Sequence, residues 1–120
     1  MLKKPLFKIL SLNHTDGQID AELQIDQQNE IFTGHFPDQP VVPGACMLQI
    51  VKEVLADTLK SDLVLARADN IKFLSLVEPS AASLQLSLNY QQADNNLKVI
   101  ASLSTGETAC MKLQALFSER

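Results

Sequence analysis

Residues 34–53 read GHFPDQPVVPGACMLQIVKE, and this stretch decides how the rest of the chain is arranged. Pro37, Pro40 and Pro43 each fix their own φ and turn the preceding residue away from helix, so the first half is expected to be extended and stiff. His35 is thereby held in one place. Gly44 then opens a run of helix formers, Ala45 to Lys60. The first backbone N–H groups of that helix have no intrahelical acceptor and carry partial positive charge, so an oxyanion would be stabilised beside them. An imidazole on a rigid loop feeding a helix N-terminus has the build of a catalytic site and not of a packing unit.

Away from the helix the apolar residues alternate with period two, the mark of strands with one buried face. In Gln18 to Ile25, Ile19, Ala21, Leu23 and Ile25 share one face, and Gln18, Asp20, Glu22 and Gln24 share the other. Leu84, Leu86, Leu88 and Tyr90 repeat the pattern. So do Leu97, Val99, Ala101 and Leu103, and then Ala109, Met111, Leu113, Ala115 and Phe117. Turn residues separate these runs: His14-Thr15-Asp16-Gly17, Ala93-Asp94-Asn95-Asn96 and Thr105-Gly106. A less regular segment, Leu63 to Val77, supplies a further strand and stops at Glu78-Pro79. The order is strand, strand, extended loop, helix, then about four antiparallel strands. A helix of roughly 17 residues is about 25 Å long and covers only one face of such a sheet. The fold class is α+β, one long helix wrapped by a curved antiparallel sheet, with the sheet's outer edges expected to pair with a second subunit.

The 120 residues, 46% of them hydrophobic, suit a single domain, 1–120, with no linker, repeat or low-complexity segment. A net charge of −4, one Tyr, no Trp and no basic run leave no platform for nucleic acid. No apolar run reaches the roughly 18 residues needed to span a membrane. The opening MLKKPLFKILSLNHTDG is interrupted by Lys8 and lacks a small-residue cleavage site, so the cytoplasm is the expected compartment. Cys46 and Cys110 have neither metal-ligand spacing nor a disulfide framework and read as buried free thiols.

His35-Phe36-Pro37, Pro40-Val41 and Pro43-Gly44, with the helix after them, resemble the HFPxxPVxPG signature of the beta-hydroxyacyl-acyl carrier protein dehydratases, which have the hot-dog fold. About twenty residues carry the likeness, and the others agree in strand order. Asn70-Ile71-Lys72-Phe73 and Val77-Glu78-Pro79 resemble the family's strand after the helix, although Pro79-Ser80-Ala81 stands where the family has a Pro-Gly-Asp turn. The resemblance implies a homodimer, or a higher oligomer of dimers, with an acyl tunnel at the interface and sites shared between subunits. It implies that His35 removes the α-proton of a 3-hydroxyacyl thioester carried on acyl carrier protein, and that the Gly44 N–H receives the thioester oxygen. Phe36 and Pro43 belong to the same substrate-binding loop. No metal or redox cofactor is implied.

One departure bears on the chemistry. Where the family has the helix carboxylate that helps the hydroxyl leave as water, this chain has Gln49, and one turn later, where the family has Gln, it has Glu53. An amide holds a water or hydroxyl but donates no carboxylic proton, and loss of such help typically lowers a rate about 10²- to 10⁴-fold. Positions i and i+4 share a helix face, so Glu53 is a candidate for the lost role, directly or through a water on Gln49.

Plainer readings stand beside these. Gln49, Glu53, Asp57 and Lys60 fall on one side of a helical wheel, which is also how a solvated face looks. Phe36 and Phe73 are tunnel-lining candidates and equally core candidates. His14 sits in a polar turn with no assigned chemistry. Lys52, Arg67 and Lys72 are candidates for a carrier's acidic surface or phosphopantetheine, with solvated positions the simpler account. Two other functions fit the same fold: an acyl-thioesterase that positions water with Gln49 and Glu53, or a noncatalytic acyl-binding subunit paired with an active homologue. The HFP and PVVPG elements favour dehydration.

Overall fold

A computed structural model describes residues 7–26, 44–75, 77 and 83–119. Six strands and a helix occur among them: β1 (Phe7–Thr15), β2 (Gln18–Ile25), α1 (Gly44–Leu59), β3 (Leu63–Phe73), β4 (Leu84–Ala93), β5 (Asn96–Thr105) and β6 (Thr108–Glu119). The strands form one sheet in the order β1-β2-β4-β5-β6-β3, every described pairing being antiparallel. β1 and β3 are its edges. Strand register follows the alternation read from the sequence. Ala21 faces Leu86 across the β2–β4 ladder, Leu86 faces Leu103, and Leu103 faces Met111, so one row of apolar side chains crosses four strands.

That row is buried, and α1 lies over it. Met47, Ile50, Val51, Val54 and Leu55 repeat at three- and four-residue intervals, are buried, and pack into the cluster with Leu23, Leu86, Leu88, Leu103 and Phe117. Each fully buried Leu is worth about 1.5–3 kcal/mol of transfer free energy, which is what holds a single helix against a sheet with a wet outer face.

The turns show how the sequence ends each element. Thr15 still pairs with Gln18, so His14 and Thr15 belong to β1 and only Asp16-Gly17 remains as loop. Gly17, at φ 81°, takes a conformation that side chains resist, and its carbonyl accepts the Tyr90 N–H at 2.9 Å. α1 stops when Lys60 turns left-handed at φ 55° and the Ser61 N–H reaches back to the Ala56 carbonyl at 3.0 Å, a Schellman closure without glycine. β3 ends at Phe73, four residues before the expected Val77. There the N–H groups of Leu74 and Ser75 both turn to the Cys110 carbonyl, at 2.8 and 3.4 Å, and residue-by-residue pairing ceases. At the start of β6 a register shift beside Leu103 and Ser104 buries Cys110 and Met111 in succession, against strict alternation.

Candidate active site

Topology brings two distant residues together. α1 turns back through Lys60 into β3, so β3 runs back along the helix and its last residue, Phe73, arrives at the helix's first, Gly44. The contact is close. A Cβ built on Gly44 would lie 2.8 Å from Cζ and 3.0 Å from Cε1 of Phe73, so the ring would have to move before any side chain fitted there. Gly44 is half-buried, and the ring over it is 53% exposed.

The first turn of α1 holds no acidic side chain, so no carboxylate of that turn competes for its free N–H groups. Cys46 points into the core, and burial pushes its thiol above the ordinary range, which keeps it neutral beside that positive end. An oxygen gaining negative charge would therefore meet donors that no carboxylate of the same turn opposes. Gln49 is half-buried and Glu53 is exposed. Both lie on the stripe turned away from the buried row, together with Asp57 and Lys60, as the helical wheel predicts. Among the described residues Glu53 has no ion-pair partner. From Gly44 to Glu53 the axial rise is about 13 Å, further than a glutamate side chain extends, so the two cannot act on oxygens a few ångströms apart in one substrate from the same helix.

His35, Phe36 and Pro43 lie outside the described residues. Of the other candidates, the structure places Gly44 at the helix start, against Phe73, and Gln49 and Glu53 about one and a half and two and a half turns further along the helix. Sequence spacing does not reveal the contact of Phe73 with Gly44, because it depends on which strand follows the helix back. His14, expected in a turn, is in β1, and its Nε2 is 2.7 Å from the Tyr90 hydroxyl.

Residues 11–112 match the family described as ApeI-like, ApeI dehydratase. The chain belongs to that family. It is 27% identical to the 3-hydroxyacyl-[acyl-carrier-protein] dehydratase FabZ of Rickettsia akari (strain Hartford), over 85% of this chain and 86% of the relative. Among solved structures it resembles the dehydratase heterocomplex ApeI:P from Xenorhabdus doucetiae, with TM-score 0.77, 18% identity and coverage of 93% of this chain and 97% of the other. The putative thioesterase from Shewanella oneidensis shares the architecture at TM-score 0.55, with 16% identity over 94% and 82% of the two chains. The fold is the hot-dog fold expected from the sequence. The ApeI-like family supports 3-hydroxyacyl dehydration at the level of the family. Among the described residues no helix is long and apolar enough to cross a membrane.

Proposed function

We propose that this chain dehydrates 3-hydroxyacyl thioesters, carried on acyl carrier protein, to trans-2-enoyl thioesters. The observation that carries the reading is the head of α1, where Gly44, bare of side chain and in a first turn that holds no acidic residue, lies under Phe73 within the family match. In the proposed reaction His35 takes the proton from Cα, and the electron pair left behind develops as negative charge on the thioester oxygen, held by the Gly44 N–H. The charge then returns to form the Cα–Cβ double bond. The Cβ–O bond breaks, and the hydroxyl leaves as water with a proton delivered at the Gln49 position of a second subunit, by water held on Gln49 or by Glu53.

The need for a second subunit is supported by the β3 edge. β3 has β6 on one side and no described strand on the other, and it exposes Leu65, Phe73 and the adjoining Leu74. Pairing along this edge would bring a second α1 beside the first and supply from it what the axial distance withholds. Gln49 favours one refinement: the partner is a homologue that retains a carboxylate there, so that one of the two shared sites is fully equipped. The ApeI:P structure is by its own description a heterocomplex.

Hydration of a crotonyl thioester by the purified protein, followed by loss of the enoyl absorbance, tests the proposal beside a His35→Ala control. Hydration that disappears in the control supports it. Release of free thiol instead makes the chain a thioesterase. Absence of both from an intact dimer, with activity regained when an active homologue is added, selects the heteromeric form.

A further inference from the structure

The outer face of the sheet, remote from α1, carries a feature that dehydration does not use. Lys72 of β3 and Lys112 of β6 stand directly opposite one another, and the row continues through Ser102 of β5 to Ser87 of β4. Both lysines are exposed, and neither has a hydrogen-bond or ion-pair partner among the described residues. Like charges facing across a ladder are destabilising, and on this face the nearby carboxylate of Asp69 is already engaged by Arg67. The lysines border a hollow of about 370 Å³ that Ser102, Asn89, Gln114 and Ile100 also line. Ile100 is 58% exposed, an aliphatic patch among amides and hydroxyls. The hollow continues past Asn89, Ile100 and Gln114 into a second one that reaches Gln91 and Lys98.

We infer that this hollow binds a small organic phosphate monoester, its dianionic phosphoryl group bridging Lys72 and Lys112 and its body lying along Ile100. Side chains directly opposite in a ladder have Cβ atoms about 4.5–5.5 Å apart, so two ammonium groups can converge on one phosphoryl group. The Ser102 hydroxyl, next in the row, donates to a third oxygen. Volumes of about 300–1,000 Å³ are those in which proteins hold small molecules, and Asn89 and Gln114 offer the few placed polar groups that orient them. Pairing of β3 with a partner uses backbone groups in the plane of the sheet and leaves the outer face open. The inference stands apart from the dehydratase reading and does not depend on it.

Phenyl phosphate serves as the probe, with thermal melting of the full chain read at ionic strength held constant by sodium chloride. A saturable rise in melting temperature is expected for the wild type. Lys72→Met and Lys112→Met should each weaken the apparent affinity about tenfold or more, and the double variant should abolish the shift. Without ligand both single variants should melt at or above the wild type, since the opposed charges are gone, whereas Lys8→Met, on the opposite edge strand β1, should leave phenyl phosphate binding close to wild type. A shift no larger than chloride alone produces, or one retained by the double variant, overturns the inference. So does equal binding of the singly charged diester methyl phenyl phosphate, or binding of polyglutamate without binding of phenyl phosphate.

Discussion

Gly44 is defined by the methyl group it lacks. Alanine there would drive its Cβ toward Phe73 at 2.8 Å. Gly44→Ala should therefore destabilise the chain by about 1–3 kcal/mol, the usual range for overpacking, and should lower hydration activity by displacing the N–H that the ring now borders. Phe73→Leu in the same chain should recover the melting temperature, and a double-mutant cycle on the two melts checks the coupling. His35→Ala should lower crotonyl-thioester hydration about 10²- to 10⁴-fold at unchanged melting temperature. Glu53→Gln distinguishes a working carboxylate from a solvated one: turnover should fall, and an unchanged rate would falsify its role. Cys46 gives a pH signature. Its thiol is raised by burial from 9.0, so the folded chain holds that proton more tightly than the unfolded chain. Its contribution is complete below about pH 9 and is lost as pH rises through the folded value. Alkaline melts of Cys46→Ala should accordingly fall less steeply than those of the wild type.

Among the elements, α1 and β3 carry the testable weaknesses. Lys60 closes the helix in a left-handed conformation that suits glycine, so Lys60→Gly should stabilise the chain by roughly 0.5–1 kcal/mol, measured as an increase in the denaturant midpoint at constant m-value. At the β3 edge, Leu65→Glu with Leu74→Glu should turn the proposed dimer into a monomer in sedimentation and abolish hydration, because the proposed site draws on two subunits. These elements also show what can be read from sequence. The strict alternation in β2, β4 and β5 left only one face to bury, and the helix limits shifted by a single residue, from Ala45–Lys60 to Gly44–Leu59. The end of β3 and the burial of Cys110 beside Met111 in β6 are not legible. The first rests on the Leu74 and Ser75 N–H groups converging on the Cys110 carbonyl and the second on the register shift beside Leu103 and Ser104, and both come from how strands settle against each other. Nor is the meeting of Gly44 with Phe73 legible, since it depends on which strand follows the helix back.

Taken whole, the molecule joins a part whose layers are stitched locally to a part that is not. β4, β5 and β6 follow one another through tight turns, each pairing with the next. β3 is different: Leu63 lies opposite Glu119 and Phe73 opposite Met111, so its described ladder partner is made only after β4 and β5. During synthesis, β3 emerges long before β6, its described partner, and has to wait for it. Loop closure over such a span makes that ladder slow relative to the meander. The strand that proposed dimer pairing needs is thus the last to be seated in its own sheet, and a nascent neighbour's β3 could capture it first. Assembly on polysomes and assembly from mature chains would then favour different pairs, giving the order of translation a say in which subunits share a site.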